Sequence, residues 1–576
     1  MPAPDRPHLR FWPRRLPREL VVPETSLVAN LEISARRYPD KPAYRFFGRS
    51  VSYRELLAQA EALAGWLQSV GVRRGDRVLL YLQNCPQFVA AVYGILRADA
   101  VVVPVNPMNR AEEFGHYITD PEARVAICSA DLAGVVASAD AALPGPQRLA
   151  EVLVLRYADA LPAGPLPAAE APGEAVEAWL RADPPLPEAA PGGPRWTRWA
   201  DALVAAPAPR QAQAGPDDLA LLPYTSGTTG LPKGCLHTHR SLMHNAASGI
   251  WNYAGAEAVS LSVVPMFHIT GMVYGVLGTV FFGGTGVILP RWDRELAARL
   301  IALHRISHWV CIPTMIIDLL ASPNVERFDL SSLRSLSGGG AAMPQAVAQR
   351  LQERFGLAFA EGYGLTETAA PSHINPPERP KQQCLGMPIF GTDARVVDPL
   401  TLAELPPGEV GEIVTRGPML FEGYWKHPQA TEAAFVTLAG DTSGARFFRT
   451  GDLGRMDEDG YFFLTDRLKR MINASGYKVW PAEVETLLFR HPAVQEACVI
   501  AARDAYRGET VKAVVVLRPE ARGHTREQDI LDWAREHMAA YKAPRLVEFA
   551  DTLPKSGAGK VMWRLLQDRE SERGAA

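Results

Sequence analysis

The sequence has almost no excess of charge of either sign. Across 576 residues, 60 Lys and Arg stand against 63 Asp and Glu, a net charge of -3. So balanced a chain gives no reason to expect nucleic acid as a partner. Its six cysteines (Cys85, Cys128, Cys235, Cys311, Cys384, Cys498) are scattered, with no CxxC and no pairing pattern. Neither a disulfide framework nor a structural zinc site is expected, and a reducing, cytoplasmic setting is. The opening stretch MPAPDRPHLRFWPRRLPREL carries arginines and prolines but no apolar core, so neither a signal peptide nor an amphipathic targeting helix is expected. Long uncharged runs are absent with one exception. Ala258 to Pro290 holds no Asp, Glu, Lys or Arg and is long enough to cross a bilayer. Pro265, His268 and six glycines between Gly271 and Gly286 interrupt it, which predicts strand, buried helix, strand inside one core and no transmembrane segment.

What is present is the patterning of a multidomain α/β chain, since 576 residues exceed one simple core. Ser52 and Glu55 are spaced as a capping box, and Val51 with Leu56 as a hydrophobic staple. Leu56, Ala60, Leu63 and Leu67 then share one helical face, and Gly71 marks the stop. Short apolar runs (RVLLYL, AVVVPV, ARVAIC, EVLVL) alternate with helical stretches, as in a parallel sheet covered on both faces. Between Ala158 and Pro216 the chain turns Ala/Pro-rich, which predicts a surface excursion or mobile loop. A charged segment, TDRLKRMINASGYKVWPAEVE, separates the body from a last portion with its own helix and strand pattern. The expected division is a body over 1–465 with sheets flanked by helices, a hinge at 466–470, and a small α+β domain over 471–576. No internal repeat is found.

The strand-like LALLPY runs into YTSGTTGLPKG, residues Tyr224 to Gly234, with three glycines, four Ser/Thr hydroxyls and one lysine. Glycine allows close backbone approach, successive N–H groups form anion nests, and hydroxyls and lysine add donors. The stretch is not a Walker A loop, because Pro232 precedes Lys233 and Gly234 follows it. The string resembles the signature of the adenylate-forming enzymes: acyl-CoA synthetases, peptide-synthetase adenylation domains and luciferases. Four further stretches carry the same resemblance in family order: SGGGAAMP (Ser337–Pro344), EGYGLTET (Glu361–Thr368), the run from Phe447 to Glu485, and LPKSGAGKV (Leu553–Val561).

The resemblance implies a mobile C-terminal lid and two half-reactions, ATP-dependent formation of an acyl-AMP and then transfer to a thiol. Two anions must meet in the first, so catalysis is mainly positioning and charge neutralisation. The glycine loop, Thr225, Ser226, Gly227, Thr228, Thr229, Gly230 and Lys233, would hold the pyrophosphate end. Gly338, Gly339 and Gly340 would flank adenine, with Tyr363 stacked on it beside Glu361 and Gly362. Thr366 would bond the α-phosphate and Glu367 would bind Mg²⁺. Asp452 would accept the ribose hydroxyls, with Arg467 adding a positive contact. Lys560 would serve the first half-reaction, although Ala558 stands where many relatives have Ser or Thr. Lys469 falls at the hinge position, Gly476 would line the thiol channel of the rotated lid, and His268 would be the gate between that channel and the carboxylate site.

Sixteen residues follow Lys560, too few for a fused carrier domain, so free coenzyme A is the expected acceptor. The acid pocket should come from Pro265–Phe282, Trp309–Leu320 and residues 338–342, where Asp318 is the only charged residue. Such a lining suits a medium- or long-chain fatty acid better than an amino acid, whose ammonium would want a buried carboxylate. Gly271 and Gly275 are expected to leave room for the chain. Aryl-acid ligation, or a stand-alone adenylation enzyme loading a carrier protein, is the alternative. A luciferase-like oxygenase and a silent nucleotide-binding protein compete less well, and a homodimer is compatible with the sequence.

Overall fold

The computed structural model describes the chain except residues 1–5, 189, 226–231, 341–342, 468–469, 471, 475–476, 480, 505–507, 539–541, 556–560 and 574–576. The chain forms two compact units, Arg10–Asp393 with Arg416–Ala433, and Met1–Leu9 with Ala394–Thr415 and Ala434–Ala576. The fold is mixed α/β, with a large N-terminal body of sheets and helices and a smaller C-terminal domain.

The larger unit is built on two sheets. In the first, the strands Arg77–Tyr81, Val101–Pro104, Val125–Ser129 and Glu151–Leu155 lie parallel. These are the short apolar runs of the sequence, and their near-complete burial is what covering both faces of a parallel sheet requires. The second sheet has nine strands, with Val259–Ser262, Thr285–Ile288, His308–Cys311, Ser335–Gly338 and Phe359–Leu365 in its parallel centre. Between them run helices such as Tyr53–Ser69, which starts on the expected Ser52/Glu55 capping box and buries Leu56, Ala60, Leu63 and Leu67. Gly71 follows it in the left-handed region, at φ +97°.

The uncharged stretch from Ala258 forms strand, buried helix and strand, as expected. Among the described residues no helix is long and apolar enough to cross a membrane. The Ala/Pro-rich segment lies largely at the surface, as a surface excursion should, and tertiary contacts order parts of it. Arg195–Arg198 adds an edge strand beside Glu151–Leu155. Glu170 is buried, accepting the Gly48 amide at 2.9 Å and lying 3.3 Å from His304. Trp179 packs tilted against Tyr157 and lies under the Arg291 guanidinium.

In the smaller unit, Arg446–Met456 pairs with Gly411–Arg416, Phe435–Thr437 and Phe462–Arg467. A second sheet there joins Val494–Asp504, Gly508–Leu517 and Leu546–Phe549, backed by the helices Pro481–Leu488 and Glu527–His537. The apolar run Lys512–Leu517 is a central strand of this sheet.

Candidate active site

In open α/β sheets, ligands bind where parallel strands end. Ser335–Gly338 ends in the triglycine, and the packing explains why glycine is required. A Cβ on Gly338 would stand 1.7 Å from the Cys311 carbonyl oxygen, and one on Gly339 would stand 2.3 Å from that of Gly362. Gly340 takes φ +86°. The neighbouring strand Phe359–Leu365 brings Glu361, Gly362 and Tyr363 beside them, in register with Gly338 opposite Glu361. The Tyr363 ring meets His373 edge-on at 5.6 Å. Glu361 is buried, and its carboxylate accepts the Gln383 amide at 2.7 Å and the Met343 amide at 3.4 Å. Burial pushes its pKa up to about 7, partly offset by those amides and that of Cys384.

After Leu365 the chain turns sharply through Thr366, Glu367 and Thr368. Ala369 and Ala370 both take positive φ, +50° and +75°, a conformation that costs non-glycine residues of order 1–3 kcal/mol each. Surrounding donors hold this turn. The buried Asn245 side chain donates to the carbonyls of Thr368, Ala369 and Pro371 at 2.9, 2.7 and 3.1 Å. His237 Nε2 donates to the Thr366 carbonyl at 2.7 Å, and the Phe421 amide to that of Glu367 at 2.9 Å. Burial lowers the His237 pKa to about 4, so the ring stays neutral at physiological pH.

The glycine loop rises from a closed stem. The Thr225 amide donates to the Lys233 carbonyl at 2.9 Å, and Tyr224 pairs with Gly234. The Tyr224 hydroxyl donates to Asp120 at 2.5 Å, and His116 holds the Pro232 carbonyl. Thr225 and Lys233 thus flank the loop, while Ser226, Gly227, Thr228, Thr229 and Gly230 lie outside the described residues. Beyond the stem, residues 234–236 pair with Glu422, Gly423, Tyr424 and Trp425. The Tyr424 hydroxyl donates to Glu367 Oε1 at 2.8 Å, and Lys233 Nζ lies 5.4 Å from the centre of its ring. The structure therefore brings Lys233 and Glu367 to one side chain.

His268 is half-buried and caps the helical segment that follows, accepting the Thr270 amide at 3.3 Å. Over Met272–Gly278 that helix widens to the π form, a local distortion frequent at functional sites. The Tyr44 hydroxyl takes up the carbonyl of Gly275 at 2.9 Å. A cavity enclosing about 770 Å³ of empty space, its solvent-filled mouth included, lies against this segment. Its wall includes Gly249, Leu261, Val264, Gly275, Phe282 and Trp309, and among the described residues bears no Asp, Glu, Lys or Arg. Of its two titratable side chains, Tyr274 is raised by burial and His308 lowered by it. Asp318 faces away, accepting from Trp292 and Arg294. Both expected glycines, Gly271 and Gly275, line this cavity, but they differ in what a side chain would meet. A Cβ on Gly275 would make ordinary contacts at 3.8 Å, whereas one on Gly271 would stand 2.1 Å from the Pro265 carbonyl oxygen.

In the smaller unit, Asp452 is buried on Arg446–Met456 with Arg467 opposite it in register. The buried Glu412 pairs with Arg449 and accepts the Gly451 amide at 3.2 Å, bracing the turn before Asp452. Lys469, Gly476 and Lys560 lie outside the described residues. Sequence reasoning missed His237, Asn245, Tyr424, Glu412 and Arg449. The only available signal was the density of histidine and amide in HTHRSLMHN, because the contacts themselves join distant parts of the chain.

The profile of the AMP-binding enzyme family matches residues 31–425, and that of the AMP-binding enzyme C-terminal domain matches 483–560. The chain is 35% identical over 582 residues to a long-chain-fatty-acid–CoA ligase of Bacillus subtilis, covering 99% of each chain. It is 35% identical over 536 residues to a feruloyl-CoA synthase of an Amycolatopsis, covering 92% of this chain and 96% of that one. Among solved structures, ATP-bound MatB from Rhodopseudomonas palustris matches with TM-score 0.80 at 28% identity, over 96% of this chain and all of the other. A Mycobacterium tuberculosis fatty acyl CoA synthetase matches with TM-score 0.70 at 27% identity, over 95% and 99%. The chain belongs to the family of AMP-binding enzymes, as an ATP-dependent acid–thiol ligase that forms an acyl-AMP and passes the acyl group to coenzyme A.

Proposed function

We propose that the acid is a medium- or long-chain fatty acid and that the protein supplies fatty acyl-CoA to lipid metabolism in the cytoplasm. The observation that carries this choice is the cavity beside Gly275, whose wall bears no fixed charge among the described residues. An amino acid would leave its ammonium unpaired there, at a large desolvation cost, whereas an alkyl chain gains by leaving water.

In this mechanism the carboxylate attacks the α-phosphorus of ATP, with His268 as the gate between its site and the thiol channel. The glycine loop and Lys233 hold the leaving pyrophosphate, Thr366 bonds the α-phosphate, and Lys560 neutralises charge as acyl-AMP forms. Tyr363 and residues 338–340 seat the adenine, and Asp452, with Arg467, the ribose. Among the described residues no cluster of three or more His, Cys, Asp or Glu would hold a metal by itself. A lone carboxylate at Glu367 fits Mg²⁺, which keeps near-octahedral oxygen ligands and arrives largely ligated by nucleotide phosphates. The ion, when bound, would offset the phosphate charge that otherwise repels the incoming carboxylate. Glu367 would then orient the ion and the phosphates it carries. Residues 466–470 serve as the hinge, and a rotated C-terminal lid presents Gly476 to the pantetheine thiol.

The test is a panel of saturated fatty acids from four to eighteen carbons plus a hydroxycinnamate, each read by pyrophosphate release with and without coenzyme A. Highest kcat/KM on a chain of eight or more carbons, with AMP release dependent on coenzyme A, is the expected result. A preference for the hydroxycinnamate would transfer the assignment to an aryl acid. Adenylation without thioester would point to a carrier-protein acceptor.

A further inference from the structure

Tyr424 lies 57 residues downstream of Glu367, yet the fold places its phenol on that carboxylate. Its backbone is locked to the strand that leaves the glycine loop. The Trp425 amide donates to the Gly234 carbonyl at 2.8 Å, the Leu236 amide to that of Gly423 at 2.9 Å, and Tyr424 pairs with Cys235. On the other side its amide donates to Thr431 Oγ1 at 2.9 Å, and Phe421 meets the ring edge-on at 4.8 Å. The ring therefore has little freedom to turn. One face lies 5.4 Å from Lys233 Nζ, within the range of a cation–π attraction, while the hydroxyl donates to Glu367 Oε1 at 2.8 Å.

We infer that Tyr424 is a positioning residue that couples the glycine-loop lysine to the metal-holding carboxylate, its hydroxyl fixing Glu367 and its ring face holding Lys233. Two groups of opposite charge that serve the same phosphates are thereby set at a fixed offset before the nucleotide arrives. Without that link Lys233, with its long flexible stem, and Glu367 would each have to be ordered by the ligand. The inference rests on the assignment of Glu367 to the Mg²⁺ of the nucleotide.

Isothermal titration calorimetry of the full chain with ATP, in excess MgCl₂ or in EDTA, separates the parts. Tyr424→Phe keeps the ring under Lys233 and removes the hydroxyl, so Mg²⁺-ATP binding should weaken about tenfold while binding in EDTA stays near wild type. Tyr424→Leu removes both contacts and should weaken binding in both buffers. Glu367→Gln should lose the gain that Mg²⁺ brings. Wild-type Mg²⁺-ATP binding by Tyr424→Phe beside a weakened Glu367→Gln would overturn the role of Tyr424 and leave that of Glu367 standing. Wild-type binding by both would overturn the assignment of Glu367 and the inference with it. Equal weakening of Tyr424→Phe with and without Mg²⁺ would mark the tyrosine as a packing residue only and overturn the proposal. Near-UV circular dichroism on each variant checks the fold, and Tyr424→Phe, which deletes a single oxygen, keeps the test decisive should Tyr424→Leu misfold.

Discussion

His237 Nε2 lies 2.7 Å from the carbonyl oxygen of Thr366, so a buried neutral imidazole holds the backbone one residue before Glu367. The pH dependence follows from the sign of its shift. Its folded pKa of about 4 lies below the ordinary 6.5, so between these values the unfolded chain binds the extra proton. The stabilisation is complete above pH 6.5 and is lost as pH falls toward 4, by up to roughly 3 kcal/mol. His237→Gln keeps a donor but cannot titrate. Its thermal midpoint should fall less than that of the wild type between pH 7 and 5, and parallel curves would refute the assignment.

Glu361 has the opposite sign. Burial raises its carboxyl pKa to about 7, so the folded state holds a proton that the unfolded chain releases. Wild-type stability should decline as pH rises from about 4.5 to 7 and level off above. Glu361→Gln should gain stability relative to wild type across that interval, up to roughly 3 kcal/mol. Thermal midpoints at pH 5, 6, 7 and 8 check this, and a difference independent of pH would show that the carboxyl does not titrate there.

The two glycines of the cavity helix should behave differently. Gly275→Phe fills open space and should shorten the preferred acyl chain while sparing ATP binding. Gly271→Ala drives a methyl into the Pro265 carbonyl, 2.1 Å away, and should lower stability by roughly 1–3 kcal/mol. Chain-length profiles and denaturant midpoints distinguish them. An unchanged profile for Gly275→Phe would mean that the acyl chain lies elsewhere.

The two half-reactions test the C-terminal assignments. Lys560→Ala should slow adenylation by roughly 10²–10³-fold, the effect typical of losing one transition-state donor. Thioester formation from synthetic acyl-AMP and coenzyme A should stay near normal. Gly476→Leu should block that second step and leave pyrophosphate release intact. If folded Lys560→Ala depresses both steps equally, the alternating lid is wrong for this protein.

Local chemistry was legible wherever it depends on neighbours in sequence. The Ser52/Glu55 cap, the short apolar strands and the strand–helix–strand reading of Ala258–Pro290 all rest on spacing within a turn or a strand. The glycines at Gly338 and Gly339 stood out in the string SGGGAAMP, although the carbonyls that demand them, those of Cys311 and Gly362, come from neighbouring strands. Composition foretold the surface course of Ala158–Pro216 but not its anchors, such as Glu170 on Gly48 and His304, which come from distant parts of the chain.

The sequence by itself determined the family and the reaction, because the glycine loop and its companion motifs are contiguous strings whose chemistry travels with their order. Only the tertiary structure decided what holds those groups in place. Tyr424 reaches Glu367 because the chain from Phe421 to Trp425 pairs beside the exit of the glycine loop, and Asn245 and His237 reach the Thr366–Ala370 turn from a buried helix and the strand before it. The same structure divided Gly271 from Gly275, identical in sequence terms, by what stands opposite each. Hydrogen bonds and close contacts depend on distance in space, and separation along the chain does not encode it.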